Sequence, residues 1–215
     1  MKICDLHVAP RSLRDAYEIA NELHSMGFSC VAIDNPDPRK ASELAKPFRE
    51  AGLETYTRIT IEAEKWQKAL KNIRRAVLTH DLIIVKPRNA EVARYAARDP
   101  RVALVYLPPG MARYMDKSQA YLLREGGSGV EVCLRPVLYG DDPRRTMRGL
   151  MIISRRAAAY EARLVVTSGA RSKWEIWHYA SMRALLVSFG LPENIAKLAV
   201  TGYPASIVFS KKPRV

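Results

Sequence analysis

The chain predicts a short or incomplete TIM-like (β/α) barrel, and three features of its 215 residues carry that reading. Apolar, β-branched runs recur with starts roughly 20 to 33 residues apart, the span of one strand, one helix and two loops. Helical patterns fill the intervals. The first strand-like run also leads into His7-Val8-Ala9-Pro10 rather than a glycine-rich phosphate loop, which argues against a dinucleotide-binding open sheet.

Taken in order, strands are expected at 2–8, 28–34, 53–61, 82–86, 102–107, 130–135 and 163–168. The helical segments 11–26 and 39–51 end at Gly27 and Gly52, and glycine just past a helix is a stop signal. After the third strand, Lys65, Lys68, Lys71 and Arg75 lie opposite Trp66, Leu70, Ile73 and Val77 on a helix with one charged face. After the sixth, Asp142 is an N-cap with Pro143 at the first helical position. On that helix Arg144, Arg145, Arg148, Arg155 and Arg156 fall within an arc of about 120° at 3.6 residues per turn. The seventh strand runs into Ser168-Gly169-Ala170 and the cations Arg171 and Lys173. A helix then stops at Gly190-Leu191-Pro192, and another starts at the proline. Alternating strands and helices imply a parallel sheet with right-handed crossovers. Seven units leave such a ring one strand short of eight, and Ser206–Ser210 is the candidate to close it. No linker or low-complexity stretch divides the series, so 1–215 reads as one barrel domain.

Composition narrows the function. No apolar run is long enough to span a bilayer and no signal peptide is evident, so a cytoplasmic soluble protein is expected. Cys4, Cys30 and Cys133 form no C-x-x-C pair, and buried thiols are expected rather than a zinc knuckle or a disulfide scaffold. The net charge is +13, and 23 of the 35 basic residues are arginine, which binds phosphate bidentately and stacks on bases. Residues 1–134 hold 21 basic and 17 acidic side chains, whereas 135–215 hold 14 and 5, so the C-terminal third is the more anion-seeking.

In (β/α) barrels functional side chains come from the C-terminal ends of the strands. Here those are His7, Asp34, Glu62, Lys86 with Arg88, Pro108, Arg135, and Ser168 with Arg171. Asp5-Leu6-His7 opens like a D-x-H-x-H metal motif, but Ala9 stands in the second histidine's place. His80 precedes its strand and is expected at the opposite end of the barrel. A metal-dependent phosphoesterase using His7, Asp34 and Glu62 is therefore the alternative reading rather than the leading one. Ser168 lacks the frame of a nucleophile elbow; the turn is expected to offer backbone N–H groups to phosphate. Trp174, Trp177 and Tyr179 sit at helical spacing and are expected in the core.

The DLHV start, Lys86-Pro87-Arg88, VVTSGARSKWE and ALLVSFGLPENIAKLAVTGYPASIV together resemble the roughly 30-kDa protein subunit family of archaeal and eukaryotic ribonuclease P, protein component 3 in archaea. The resemblance covers nearly the whole chain, with Trp177-His178-Tyr179 a departure where many members begin a helix with proline. It implies a barrel related to the polymerase-and-histidinol-phosphatase group. It also implies a protein cofactor of the RNA enzyme that removes the 5′ leader of precursor tRNA, with no catalytic residue of its own. Its partners would be the ribonuclease P RNA, precursor tRNA indirectly, and a small ferredoxin-like subunit among other ribonuclease P proteins. Mg²⁺ would enter through the RNA, with no metal or cofactor held by the protein. Arg58, Lys86, Arg88, Arg135, Arg155, Arg156, Arg171 and Lys173 are the residues expected to face RNA or partner.

Overall fold

A computed structural model describes residues 2–211. Its strands are β1 (Cys4–Val8), β2 (Cys30–Asp34), β3 (Glu54–Ala63), β4 (Leu82–Pro87), β5 (Val102–Tyr106), β6 (Gly129–Cys133) and β7 (Leu164–Thr167). The helices are α1 (Leu13–Ser25), α2 (Pro38–Glu50), α3 (Trp66–Ala76), α4 (Ala90–Arg98), α5 (Lys117–Glu125), α6 (Arg135–Tyr139), α7 (Pro143–Ala159), α8 (Tyr179–Ser188), α9 (Glu193–Val200) and α10 (Gly202–Lys211). All seven strands join one parallel sheet in chain order, as right-handed β/α units require.

Hydrophobic burial is split between the two faces of this sheet. Outward-facing residues such as Ile61, Val85, Val105 and Val132 pack under the apolar stripes of the helices, which supply Ile73, Val92, Leu123 and Leu150. Inward-facing Leu6, Ala32, Ile84, Leu104 and Val165 fill the lumen. Each fully buried Leu, Ile or Val stabilises the fold by about 1.5–3 kcal/mol. No helix among the described residues is long and apolar enough to cross a membrane.

The seam between β7 and β1 departs from an ordinary ladder. The two are joined by a parallel bridge, Val8 to Ala170, beyond the end of β7. Ala9 N donates to Ala170 O at 2.8 Å and Gly169 N to His7 O at 2.9 Å. Just below, the buried Asp5 carboxylate accepts from Ser168 N at 3.2 and 3.3 Å. Seven strands therefore nearly close the ring without an eighth. The expected strand at Ser206–Ser210 is instead part of α10, which packs against β1, β5 and β7. Its Ile207 and Val208 share the lumen cluster with Cys4, Cys30 and Leu82, each the first residue of its strand, so α10 floors the barrel.

Two further expectations change. Cys4 and Cys30 are register partners on β1 and β2, 4.6 Å apart at Cα, and their sulfurs form a disulfide; only Cys133 is the expected buried thiol. His80 is not remote from the strands' C-terminal ends either. Stagger sets Asp34 beside Arg58 and Arg58 beside Leu82, so His80 Nε2 meets Asn35 O at 3.0 Å, just past β2.

Candidate nucleic-acid interface

A charged cluster occupies the upper lumen. Arg58 on β3 is fully buried and engages all five N–H donors there. Nη1 reaches Leu6 O at 2.6 Å and Glu131 Oε1 at 3.1 Å; Nη2 reaches Glu131 Oε2 at 2.9 Å and Thr60 Oγ1 at 3.0 Å; Nε reaches Thr60 Oγ1 at 3.3 Å. His7 lies between the carboxylates, 2.7 Å from Glu131 through Nδ1 and 3.2 Å from Asp34 through Nε2. Thr167 Oγ1 donates to Glu131 at 2.7 Å, and Thr60 donates to Asp34 through N at 3.0 Å and Oγ1 at 2.6 Å.

The ionisation states follow from that packing. Burial would raise the Glu131 carboxyl, but Arg58 and then His7 outweigh it and bring it down to about 2. Burial likewise opposes ionisation of Asp34, and Arg58 with His7 holds it well below the carboxylate range. Burial and the Arg58 charge push His7 down, yet Glu131 and Asp34 prevail and keep it well above its ordinary value. The cluster is thus two cations against two anions.

Metal binding is tested by the same atoms. Donor atoms of His7, Glu131 and Cys133 lie within 4.8 Å of one another, a grouping different from the expected His7, Asp34 and Glu62. Glu62 stands apart, exposed and held by Arg88 at 2.9 Å and Lys86 at 3.4 Å. A permanent guanidinium already supplies the positive charge at Glu131 and occupies both of its oxygens. This donor set does not fit a metal ion.

The turn at Ser168–Arg171 does not offer the free amides expected of it. Ser168 N binds Asp5, Gly169 N binds His7 O, Ala170 N binds Ser168 Oγ at 3.0 Å, and Arg171 N binds the Glu175 carboxylate at 3.0 Å. The turn is a clasp for the barrel. Gly169 is required in it twice over: its φ is +69°, and a Cβ would come 2.5 Å from Cys133 Sγ.

The expected anion-facing cations separate into classes. Arg58 is corrected outright, because a fully buried side chain whose donors are all used cannot reach an RNA surface. Lys86 and Arg88 share Glu62. Arg135 pairs through Nε with Glu175 at 3.0 Å, and Lys173 with Glu18 at 3.5 Å. Arg156 is half-buried and reaches the carbonyls of Ala112 and Arg113 at 3.4 and 3.3 Å. Arg155 and Arg171 are exposed, and no side-chain partner is found for them among the described residues. The same holds for Arg144, Arg145 and Arg148 on α7. At 1.5 Å per residue Arg155 lies roughly 16 Å down the helix from Arg144, towards the barrel floor. Mouth and helix are therefore two regions of one basic side.

Sequence reasoning misses two things. Trp174, expected in the core, is 83% exposed, with Lys173 Nζ 5.1 Å from its ring, whereas Trp177 and Tyr179 do pack against core clusters. Glu131 is the other, although a carboxylate inside VEVC and an arginine inside TYTRITI are visible as opposite charges in apolar strands.

Comparison with known proteins agrees with this geometry. A model of the RNase P subunit p30 family matches residues 2–214. Ribonuclease P protein component 3 of Aeropyrum pernix is 27% identical over 199 residues, 92% of each chain. The Methanosarcina acetivorans protein of that name is 27% identical over 216 residues, covering 97% of this chain and 88% of its own. A chain in a cryo-EM structure of archaeal ribonuclease P with mature tRNA shares the fold, with a TM-score of 0.81 at 15% identity over 95% of this chain and 90% of that one. An amidohydrolase crystal structure does so more distantly, with a TM-score of 0.61 at 10% identity over 98% and 74%. With a match over nearly its entire length, the chain belongs to the RNase P subunit p30 family.

Proposed function

We propose that this chain serves ribonuclease P as a cytoplasmic, non-catalytic subunit that supports the catalytic RNA electrostatically. The observation that carries the reading is the family match over residues 2–214. The basic side gives it a physical form. Exposed arginines without acidic partners lower the repulsion between packed RNA phosphates, so the active RNA fold needs less Mg²⁺. Mg²⁺ works through the RNA, not through a site on this chain. Among the described residues, Arg144, Arg145, Arg148, Arg155 and Arg171 are free cations of the mouth and α7, and Lys86, Arg88, Arg135, Arg156 and Lys173 are tethered ones. Trp174 adds a stacking face beside them. The remaining surface pairs with a small ferredoxin-like subunit, and precursor tRNA is met through the RNA.

The test is reconstitution of the particle with Arg144→Glu, Arg145→Glu and Arg148→Glu together. These side chains are exposed and unpaired, so the fold should hold. The variant should need more Mg²⁺ for half-maximal cleavage of precursor tRNA, and its RNA affinity should fall less steeply with salt, by about 0.7–0.9 in log–log slope for each phosphate it no longer neutralises. Unchanged Mg²⁺ dependence would refute the electrostatic role. The competing phosphoesterase reading requires stoichiometric metal in the purified protein, which elemental analysis measures.

A further inference from the structure

Above the charged cluster lies a cavity of about 500 Å³ that opens at the C-terminal end of the barrel. His7, Asp34, Thr60 and Cys133 line its base; Lys86, Tyr106, Arg135, Tyr139 and Arg171 are also among its lining residues. Two of these cations are set on aromatic faces: Arg135 Cζ is 4.6 Å from the Tyr139 ring centroid, and Lys86 Nζ is 5.8 Å from that of Tyr106. Arg135 is anchored through Nε alone, leaving its terminal amino groups without a partner among the described residues. Arg171 stands at the cavity with its side chain free and its main chain fixed by Glu175. The chain's own acids do not fill this space, because Asp34 is engaged by Thr60 and His7.

A pocket of this size with a few fixed polar groups is of the class that takes a small molecule. Two guanidinium groups near one opening match the oxygens of a phosphate. Arg135 covers one face of the Tyr139 ring, and this ring, 58% exposed, keeps its other face for a flat π-system, where stacking tolerates any base. A carboxylate ligand would use the cations and leave the open face of Tyr139 unused, and an apolar ligand would leave the cations unmatched. We propose that this cavity is a nucleotide pocket, taking one phosphorylated nucleotide with its phosphate on Arg135 and Arg171 and its base against Tyr139. The proposal deepens the RNA-binding reading and rests on it: in the particle the occupant is a nucleotide unpaired from the RNA. A free nucleoside monophosphate presents the same chemistry.

The experiment uses the full-length chain titrated with AMP, adenosine, inorganic phosphate and a single-stranded oligoadenylate, read by calorimetry. AMP should bind saturably at one site and more tightly than adenosine or phosphate alone. Tyr139→Ala should weaken AMP by about tenfold or more and phosphate by much less, and Tyr139→Trp should restore AMP binding. Arg171→Glu should weaken both, whereas Arg98→Glu, at the far end of α4, should weaken neither. Oligoadenylate binding that Tyr139→Ala also weakens identifies the occupant as part of an RNA chain; AMP binding without oligoadenylate binding identifies it as a free nucleotide. Phosphate binding as tight as AMP, or AMP binding indifferent to Tyr139, overturns the pocket. That failure is separable from failure of the larger reading, whose α7 variants lie outside the cavity.

Discussion

Arg58 is the residue on which the barrel centre depends. Replacing it with methionine keeps much of its volume but leaves Glu131 and Asp34 buried without their main counter-charge. We expect a loss of about 3–5 kcal/mol, measured by urea unfolding. His7 sets the pH response in the same cluster. Its folded value is raised, so its stabilisation is complete below the ordinary value of 6.5 and lost as pH climbs through the folded value. Glu131 is depressed from 4.5 to about 2, so its contribution is complete above 4.5 and lost as pH falls towards 2, and Asp34 moves in the same sense. Asp5, raised by burial against its hydrogen bonds to Ser168 and His7, works in the opposite direction and shallows the acid limb. Stability should therefore peak between about pH 4.5 and 6.5, and unfolding curves of His7→Gln should lose the alkaline decline. The charges themselves were legible in the sequence. Their pairing was not, because Arg58 and Glu131 are 73 residues apart and meet only across the lumen.

At the scale of elements, strand recurrence and glycine stops located all seven strands and the first two helices, since both signals are local. The errors fall where the partner is distant. The Ser206–Ser210 segment carries β-branched and aromatic residues, and propensity alone favours a strand. Its burial follows a helix instead: Ile207 and Val208 are inside, Ser206 and Phe209 outside. Ile207→Asp should place an unpaired charge under the barrel and lower stability by several kcal/mol in thermal unfolding, whereas Phe209→Asp, at a position 82% exposed, should be nearly neutral. The Cys4–Cys30 disulfide and the position of His80 were hidden for one reason: strand register and stagger place residues together that sequence spacing cannot relate. Composition makes the Ser168 turn an anion cradle, and only the folded barrel reveals that its amides are consumed by β1 and by the turn's own side chains.

For the molecule as a whole, the charge asymmetry was legible from counting alone, and the structure gives it direction. α7 carries its free arginines from the mouth end towards the floor, along the barrel's side rather than at one point. The distinction between free and tethered cations was not legible, because each tether (Glu62, Glu18, Glu175) comes from another element. Which expected residues remained candidates for the interface was thus decided by tertiary pairing. Topology has a further consequence for synthesis. The clasp joins Asp5 to residues 163 positions later, and the floor is laid by α10 after that. A nascent chain must hold an open, half-wetted gutter of strands until residues 168–170 leave the ribosome, and its lumen stays without a floor until residues 202–211 follow.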